Sequence, residues 1–570
     1  MATSTPARLR FSIDARWALG LALLTFFGLL ATEKAIGFTR DESFYFYAAD
    51  QYAPWYLGLF DALLHGRFLD MFSDTVLRRA FGYNTEHPAL MKLSFGVSHW
   101  LFFEKLHWLR PAASYRAPTW AAGAAASALI FLMGRRILAA GRPAVSRGLS
   151  LFAVGAFWLS PRNLYNGHLA CFDMPICVAW LFVVYCYLRA LDEDQADGGR
   201  WSGKWKILTG VAYGIALATK LNAFFYPAAL LIHWSLTGLA PALRSRGGLK
   251  AVGRSIPRQW LWMAVLGPAI FLLHWPYLWP HPLERIGAYI GFHAEHVNYP
   301  WYYLGHLLRD PPFPLFYVVV VTALTVPLPL FALMATGTVA TIWRLVREGF
   351  ARIDSAWTLV LVNGLFPLAL ISWPTVPHFG GTKHWLPGMP FLSLVAAEAL
   401  WRCAASAGEW LSRVRRTVRT EWLAAGLGAL SLLMALIGCI HVGGYGDSAY
   451  NELAGEFAGA TQLGMQRQFW SNNVSGVLDW LNKNVPQGGR VYFHEVTYGS
   501  VIAYKDNGML RPDIQPVPGD DQAQLVPYQY MQEFRQQEFD IWNAFGTNEP
   551  VDGLYLDESP NITVYRRPGF

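Results

Sequence analysis

Phe38-Thr39-Arg40-Asp41-Glu42-Ser43-Phe44-Tyr45-Phe46-Tyr47-Ala48 follows the first long apolar segment of the chain directly. An arginine and two adjacent acids stand where a chain leaves a membrane. An aromatic run suited to the interface comes next. Charges at that depth are costly and face a cavity or a partner. The stretch reads as the corner of a membrane-embedded reaction site. The plainer reading is an aromatic belt with a few solvated charges.

Composition supports the membrane. Of 570 residues, 54% are hydrophobic and only 15% charged, and mean hydropathy is +0.24. A soluble domain carries about 25% charged residues. The deficit, with many long apolar runs, describes a polytopic α-helical membrane protein. The net charge of +7 implies no nucleic-acid partner, because membrane proteins gather Lys and Arg in cytoplasmic loops. The cysteines, Cys171, Cys177, Cys186, Cys403 and Cys439, form no CxxC pair. That spacing argues against a disulfide framework or a cysteine metal site. The first apolar segment lacks a small-residue cleavage site and reads as a signal anchor.

Arg8, Arg10 and Arg16 place the N-terminus in the cytoplasm. Span one then runs near 16–37 and emerges outside just before Asp41. A long external segment, 38–115, follows. Span two, near 117–134, ends in Arg135-Arg136, with Arg142 and Arg147 beyond, and so returns inside. Parity then makes the apolar piece 88–107 a re-entrant or interfacial helix. Further spans read near 148–165, 174–190, 206–219, 223–240, 259–275, 312–340, 355–372, 385–401 and 421–441. Basic loops alternate throughout, at Arg200-Lys206, Arg244–Arg258, Arg344–Arg352 and Arg402–Arg419, including Arg415 and Arg416. The expected count is about eleven transmembrane helices.

At 442 the long apolar runs stop. Residues 1–441 read as the transmembrane domain and 442–570 as a small extracytoplasmic α/β domain. Val474–Asn484 has helical spacing. Arg490–Val496 reads as a strand, and Gly553–Asp557 and Ile562–Arg566 as two strands around Ser559-Pro560-Asn561.

On this topology the polar outliers fall on one face. Asp41, Glu42, Glu86, His87, Lys92 and Asp173 are external. So are Lys220, Arg285, His293, His296, Lys383 and His384. Acids, histidines and cations gathered at one face mark a reaction centre.

Arg40-Asp41-Glu42 after the first span resembles the acidic motif in the first external loop of the GT-C superfamily of polyprenyl-phosphate-sugar-dependent glycosyltransferases. Thr85-Glu86-His87-Pro88-Ala89-Leu90-Met91-Lys92 resembles a stretch of the protein O-mannosyltransferases of glycosyltransferase family 39, and one of the lipid A aminoarabinose transferases. Ala89 stands where both have a second Pro. Phe172-Asp173-Met174-Pro175 resembles their short loop before the fourth span. Lys383-His384-Trp385-Leu386-Pro387-Gly388-Met389-Pro390 is similar to a late basic, Leu-Pro motif. The resemblance covers roughly 1–440.

It implies a GT-C fold and an inverting transfer of a sugar from a polyprenyl-phosphate donor to a protein, glycan or lipid acceptor. In such a transfer a carboxylate takes the acceptor proton through an oxocarbenium-like centre. Asp41 is the expected base, with Glu42 beside it. The leaving lipid phosphate needs cations, for which Lys92, His87, Lys383 and Arg285 are the candidates. Asp173, Glu86, His384 and Tyr45 are the expected substrate contacts. Glu86, His293 and His296 could hold a divalent metal, although an aromatic interfacial loop explains the histidines as well; no cofactor is certain. Bound membrane lipid and a bacterial inner membrane, with the site on the periplasmic side, complete the expectation. The alternative is a transporter or flippase of lipid-linked sugars, which would favour inverted repeats and buried mid-membrane charge pairs.

Overall fold

The computed structural model describes residues 12–138, 142, 144–197, 200–349, 355–414 and 418–570. The expected cytoplasmic residues Arg8, Arg10, Arg352, Arg415 and Arg416 lie outside them. A helix stands at every expected span. Six described helices are long and apolar enough to cross a membrane. The count is seven if Gly248–Ser255 and Gln259–Leu273, bent by 48°, form one span. The chain is a multi-pass membrane protein.

The expected helices differ from uniform rods in ways that their prolines explain. The span near 312–340 is two helices, Tyr317–Thr325 and Leu328–Glu348, parted at Val326-Pro327. Proline has no N–H to continue the ladder. The freed carbonyls find a partner in the C-terminal region: Asn451 Nδ2 donates to Ala323 O at 2.7 Å and to Val326 O at 2.5 Å. The span near 148–165 likewise divides into Ser146–Trp158 and Pro161–His168.

Between the first span, Ile13–Thr32, and the next, Pro111–Ile137, lie helices Arg40–Leu64, Asp74–Phe81 and Ala89–His99. The apolar piece near 88–107 is therefore helical, ending in a π-turn at Trp100–Lys105. Helix Ala89–His99 packs against Arg40–Leu64 through small residues. A Cβ on Gly96 would stand 2.4 Å from Ala49 O and 2.7 Å from Ala53 Cβ. Close backbone approach through small residues is the usual device where lipid supplies no hydrophobic drive.

The C-terminal part carries a five-stranded sheet, in the order Gln515–Pro516, Arg490–Val491, Leu525–Gln529, Ser559–Arg566, Asp552–Leu556. Its first three strands are parallel and its last two join antiparallel. Two expectations change. Strand Arg490–Val491 stops five residues short of Val496. The hairpin turns at Asp557-Glu558, not at Ser559-Pro560-Asn561. Both turn residues have positive φ, 46° and 63°, as a two-residue turn matching strand twist requires.

The sheet's core reaches into the membrane part. Phe38 is buried with Val491, Leu525, Ile562 and Tyr504, and its N–H donates to Tyr504 Oη at 2.9 Å. Asn473 and Asn561 are structural. Both side chains are buried, Asn473 Nδ2 donates to Asn561 Oδ1 at 3.0 Å, and both amides donate to Ser448 Oγ. Gly96→Val should lower the stability of the purified protein by about 1–3 kcal/mol, read as a lower thermal midpoint in detergent.

Candidate active site

The acidic corner is the first turn of helix Arg40–Leu64. Thr39 is its N-cap, and a reciprocal capping box ties the two ends: Glu42 N–H donates to Thr39 Oγ1 at 3.2 Å, and Thr39 N–H donates to Glu42 Oε2 at 3.1 Å. Glu42 is thus N3 of the helix, where Thr-x-x-Glu puts it. Its carboxylate is wholly buried. It receives Arg116 Nε at 2.7 Å, Arg116 Nη2 at 2.9 Å and Ala170 N–H at 2.9 Å. Arg116, also wholly buried, spends its remaining N–H groups on Ile36 O and Gly37 O. Glu42 and Arg116 are framework.

Asp41, one residue earlier, faces a different way. It lines a cavity of about 770 Å³ and accepts from Lys383 Nζ at 3.0 Å. A second pair reaches the cavity through its lysine alone: Lys220, which lines it, donates through Nζ to Oδ1 of the buried Asp173 at 2.7 Å, and Asp173 is not among the lining residues. Lys220 occupies an extended kink, φ −160° and ψ 154°, between helix Lys204–Thr219 and the turn Leu221–Phe225. Lys383 lies on the short turn Gly381–His384, its ammonium 3.4 Å from the centre of the Trp470 ring. Burial opposes its charge, yet the Asp41 and Asp173 carboxylates raise its pKa above the ordinary lysine value.

Glu86, His87, His293, His296, His384 and Tyr45 also line the cavity. His87 packs edge-on against Tyr45 and Phe172. Burial, then the nearby Lys220 and Lys92 charges, hold His87 well below the usual histidine pKa. Burial and Lys383 do the same to His384. Both rings are neutral at pH 7. Among the described residues, His87 Nδ1 and His384 Nε2 are buried without a hydrogen-bond partner.

Two expected phosphate ligands are elsewhere. Lys92 is completely buried and its ammonium is consumed by Tyr52 Oη at 2.9 Å, His87 O at 2.8 Å and Asn84 O. It braces the loop that carries His87 from behind. Arg285 pairs with Asp74 and donates to Tyr277 O, lying over the Tyr277 ring at 4.2 Å. Neither lines the cavity. The candidate metal ligands do not converge either. His293 Nε2 meets the backbone carbonyl of Glu86 at 2.8 Å, not its carboxylate. His296 stacks on Phe379 with ring centres 5.3 Å apart. Glu86 takes a hydrogen bond from Asn84. As arranged, these residues do not fit an ion.

Several residues have no specific role in the sequence reading. Arg116 is not singled out there. Lys220 is named only as one of the external residues of the reaction face. Gln466, Trp470, Glu495 and Glu533 come from the C-terminal part and line the cavity. Nothing in their local sequence points there.

Residues 71–278 match the family model described as dolichyl-phosphate-mannose-protein mannosyltransferase. The structure is similar to that of ArnT from Cupriavidus metallidurans bound to undecaprenyl phosphate, with a TM-score of 0.51 at 13% identity over 97% of this chain and 98% of that one. The chain shares the fold of this ArnT. The apo state of the same ArnT gives a TM-score of 0.49 at 13% identity, over 97% of this chain and 98% of that one. The oligosaccharyltransferase of Archaeoglobus fulgidus gives 0.48 at 10% identity, over 93% of this chain and 72% of that one. No curated protein matches the chain in sequence. Within this fold, Glu42→Gln leaves the Arg116 charge buried and should destabilise by about 3–5 kcal/mol. The double variant Glu42→Gln/Arg116→Met should lose less than the two single variants together, as thermal midpoints will show.

Proposed function

We propose that the protein is an inverting glycosyltransferase that moves a sugar from a polyprenyl-phosphate donor to an acceptor at the extracytoplasmic face. The observation that carries this reading is Asp41. It is the carboxylate of the corner left facing the cavity, and it is held against the cation Lys383. Support comes from the fold, from the mannosyltransferase family match, and from the ArnT relative, whose structure holds undecaprenyl phosphate. A polyprenyl phosphate is what such a donor releases. Basic loops on the opposite side of the spans support the extracytoplasmic placement, and a bacterial inner membrane is the setting that suits the compact C-terminal part.

The chemistry follows from the residues. The acceptor oxygen attacks the anomeric carbon, and its proton passes to Asp41. The bond between that carbon and the phosphate oxygen breaks, its electron pair remaining on the phosphate. That leaving group needs no proton. It needs positive charge, which Lys383 and Lys220 supply. The neutral His87 and His384 contribute hydrogen bonds rather than charge. Lys383 is shared between base and phosphate, so an arriving donor competes with Asp41 for it. Once Lys383 turns to phosphate, Asp41 loses its partner and becomes a better proton acceptor. Glu42 holds the turn that aims Asp41. Tyr45 and Glu86 line the space around the sugar, and Asp173 holds Lys220 from behind. Since the Glu86, His293 and His296 donors do not converge, no step is assigned to a metal.

Asp41→Asn should reduce sugar transfer from a labelled polyprenyl-phosphate sugar by about 10²–10⁴-fold at unchanged protein level in membranes. Full activity in that variant defeats the assignment. Lys383→Ala should weaken donor binding as well as turnover, whereas Lys92→Met should act mainly through stability, because its ammonium never reaches the cavity.

A further inference from the structure

The cavity has two kinds of wall. Its lysines and arginine, Arg40, Lys220 and Lys383, come from the membrane part. The charged residues that the C-terminal part adds are both acids, Glu495 and Glu533. Glu533 is held from behind by Gln466, which is 2% exposed. Gln466 Nε2 donates to Glu533 Oε1 at 2.8 Å and Oε2 at 3.1 Å. Glu495 enters from a loop at a φ of 55°, in the left-handed region that a glutamate seldom adopts. The rings of Tyr299 and Phe534 complete this side.

We propose that this wall is the acceptor subsite and that it takes a neutral, hydroxyl-rich saccharide. The proposal rests on the glycosyltransferase reading and adds the class of acceptor. Carboxylates accept paired hydrogen bonds from neighbouring sugar hydroxyls, and aromatic faces cover the apolar faces of sugar rings. An anionic acceptor, such as a phosphorylated headgroup, would meet the Glu495 carboxylate, and that of Glu533 whenever it is ionised, at the cost of like-charge repulsion.

A peptide is disfavoured by a second observation. The short hairpin of strands Trp301–Tyr303 and His306–Leu308 borders the cavity. An extended peptide docks by adding to such an edge. Here the Tyr302 N–H is already taken by Gln466 Oε1 at 2.8 Å. One buried glutamine thus caps the strand edge and presents Glu533. Burial raises the Glu533 carboxyl to about 7, with the Glu495 charge adding to the rise against the Gln466 hydrogen bond. A group poised there both donates to and accepts from hydroxyls. In the transfer, the saccharide hydroxyl oxygen bonds the donor's anomeric carbon. Its proton goes to Asp41, and the lipid phosphate departs with the bonding pair.

The test uses the full chain in lipid nanodiscs with a panel of polyprenyl-phosphate hexoses and pentoses. Three acceptors compete: a neutral oligosaccharide, a Ser/Thr peptide and a phosphorylated glycolipid. The expected result is transfer to the oligosaccharide. Glu533→Gln and Glu495→Gln should each raise the acceptor KM about tenfold relative to the donor KM. Thermal midpoints check that both variants fold. Preferred transfer to peptide or phosphorylated glycolipid overturns the proposal, as does an unchanged KM ratio in both variants. Release of polyprenyl phosphate without saccharide preference defeats the subsite alone. No release from any donor defeats the glycosyltransferase reading beneath it.

Discussion

The corner depends on the Glu42 carboxylate, which touches no solvent. Its Oε1 receives Arg116 Nε and the Ala170 N–H, and its Oε2 receives Arg116 Nη2 and the Thr39 N–H. An ion buried among membrane helices is tolerated when its lone pairs are met and its charge is opposed by a fork of matching shape. Both conditions hold here. The consequence is geometric: the start of helix Arg40–Leu64, span Pro111–Ile137 and the loop before Asp173 are fastened at one point. Asp41 precedes Glu42 on the same turn, so it points about 100° away around the helix. Fixing one acid behind the wall fixes the other in front of it.

The same corner is clamped from the C-terminal side. Arg40 N–H donates to Trp470 O at 3.1 Å, Ser43 Oγ lies 2.8 Å from Thr497 Oγ1, and Ser500 Oγ donates to Thr39 O at 3.2 Å. The approach is too tight for a side chain at Gly37, where a Cβ would stand 2.2 Å from Asn472 O. The helix that carries the candidate base therefore starts inside an interface between the membrane part and the sheet. Trp470 adds the ring beneath Lys383. A truncation that removes the tail takes away part of the cavity wall and the support of both members of the Asp41–Lys383 pair.

The sequence exposes some of this and hides the rest for physical reasons. Span positions are legible because lipid admits few alternatives to an apolar helix, and each expected span holds one. The acidic corner is legible because charge at a span end is rare enough to notice. Which face a residue takes is not legible at the same distance. Lys92 lies on the inner side of its helix, against Tyr52 and two carbonyls, and Arg285 turns to Asp74. Both are cations near the expected phosphate, and both satisfy a local need first. Glu42 and Asp41 are neighbours in sequence with opposite fates, because only a distant Arg116 decides between them. Glu495 and Glu533 were out of reach, since no local pattern says where a tail folds back.

Charge divides the cavity in a way that bears on direction. The cations stand on the membrane part, where the proposed function calls for a lipid phosphate with its tail in the bilayer. The Phe44, Phe225 and Phe292 rings line the cavity with them. The acids and aromatic rings of the tail form the wall that the proposed acceptor subsite uses. Asp41 belongs to both sets: it pairs with Lys383 of the first and sits one residue from Arg40, whose charge opposes that of Glu495 in the second. A base placed on that seam meets the acceptor proton at the boundary between the two fields. There, a developing positive charge on the acceptor and a developing negative charge on the leaving group are each drawn toward the matching wall.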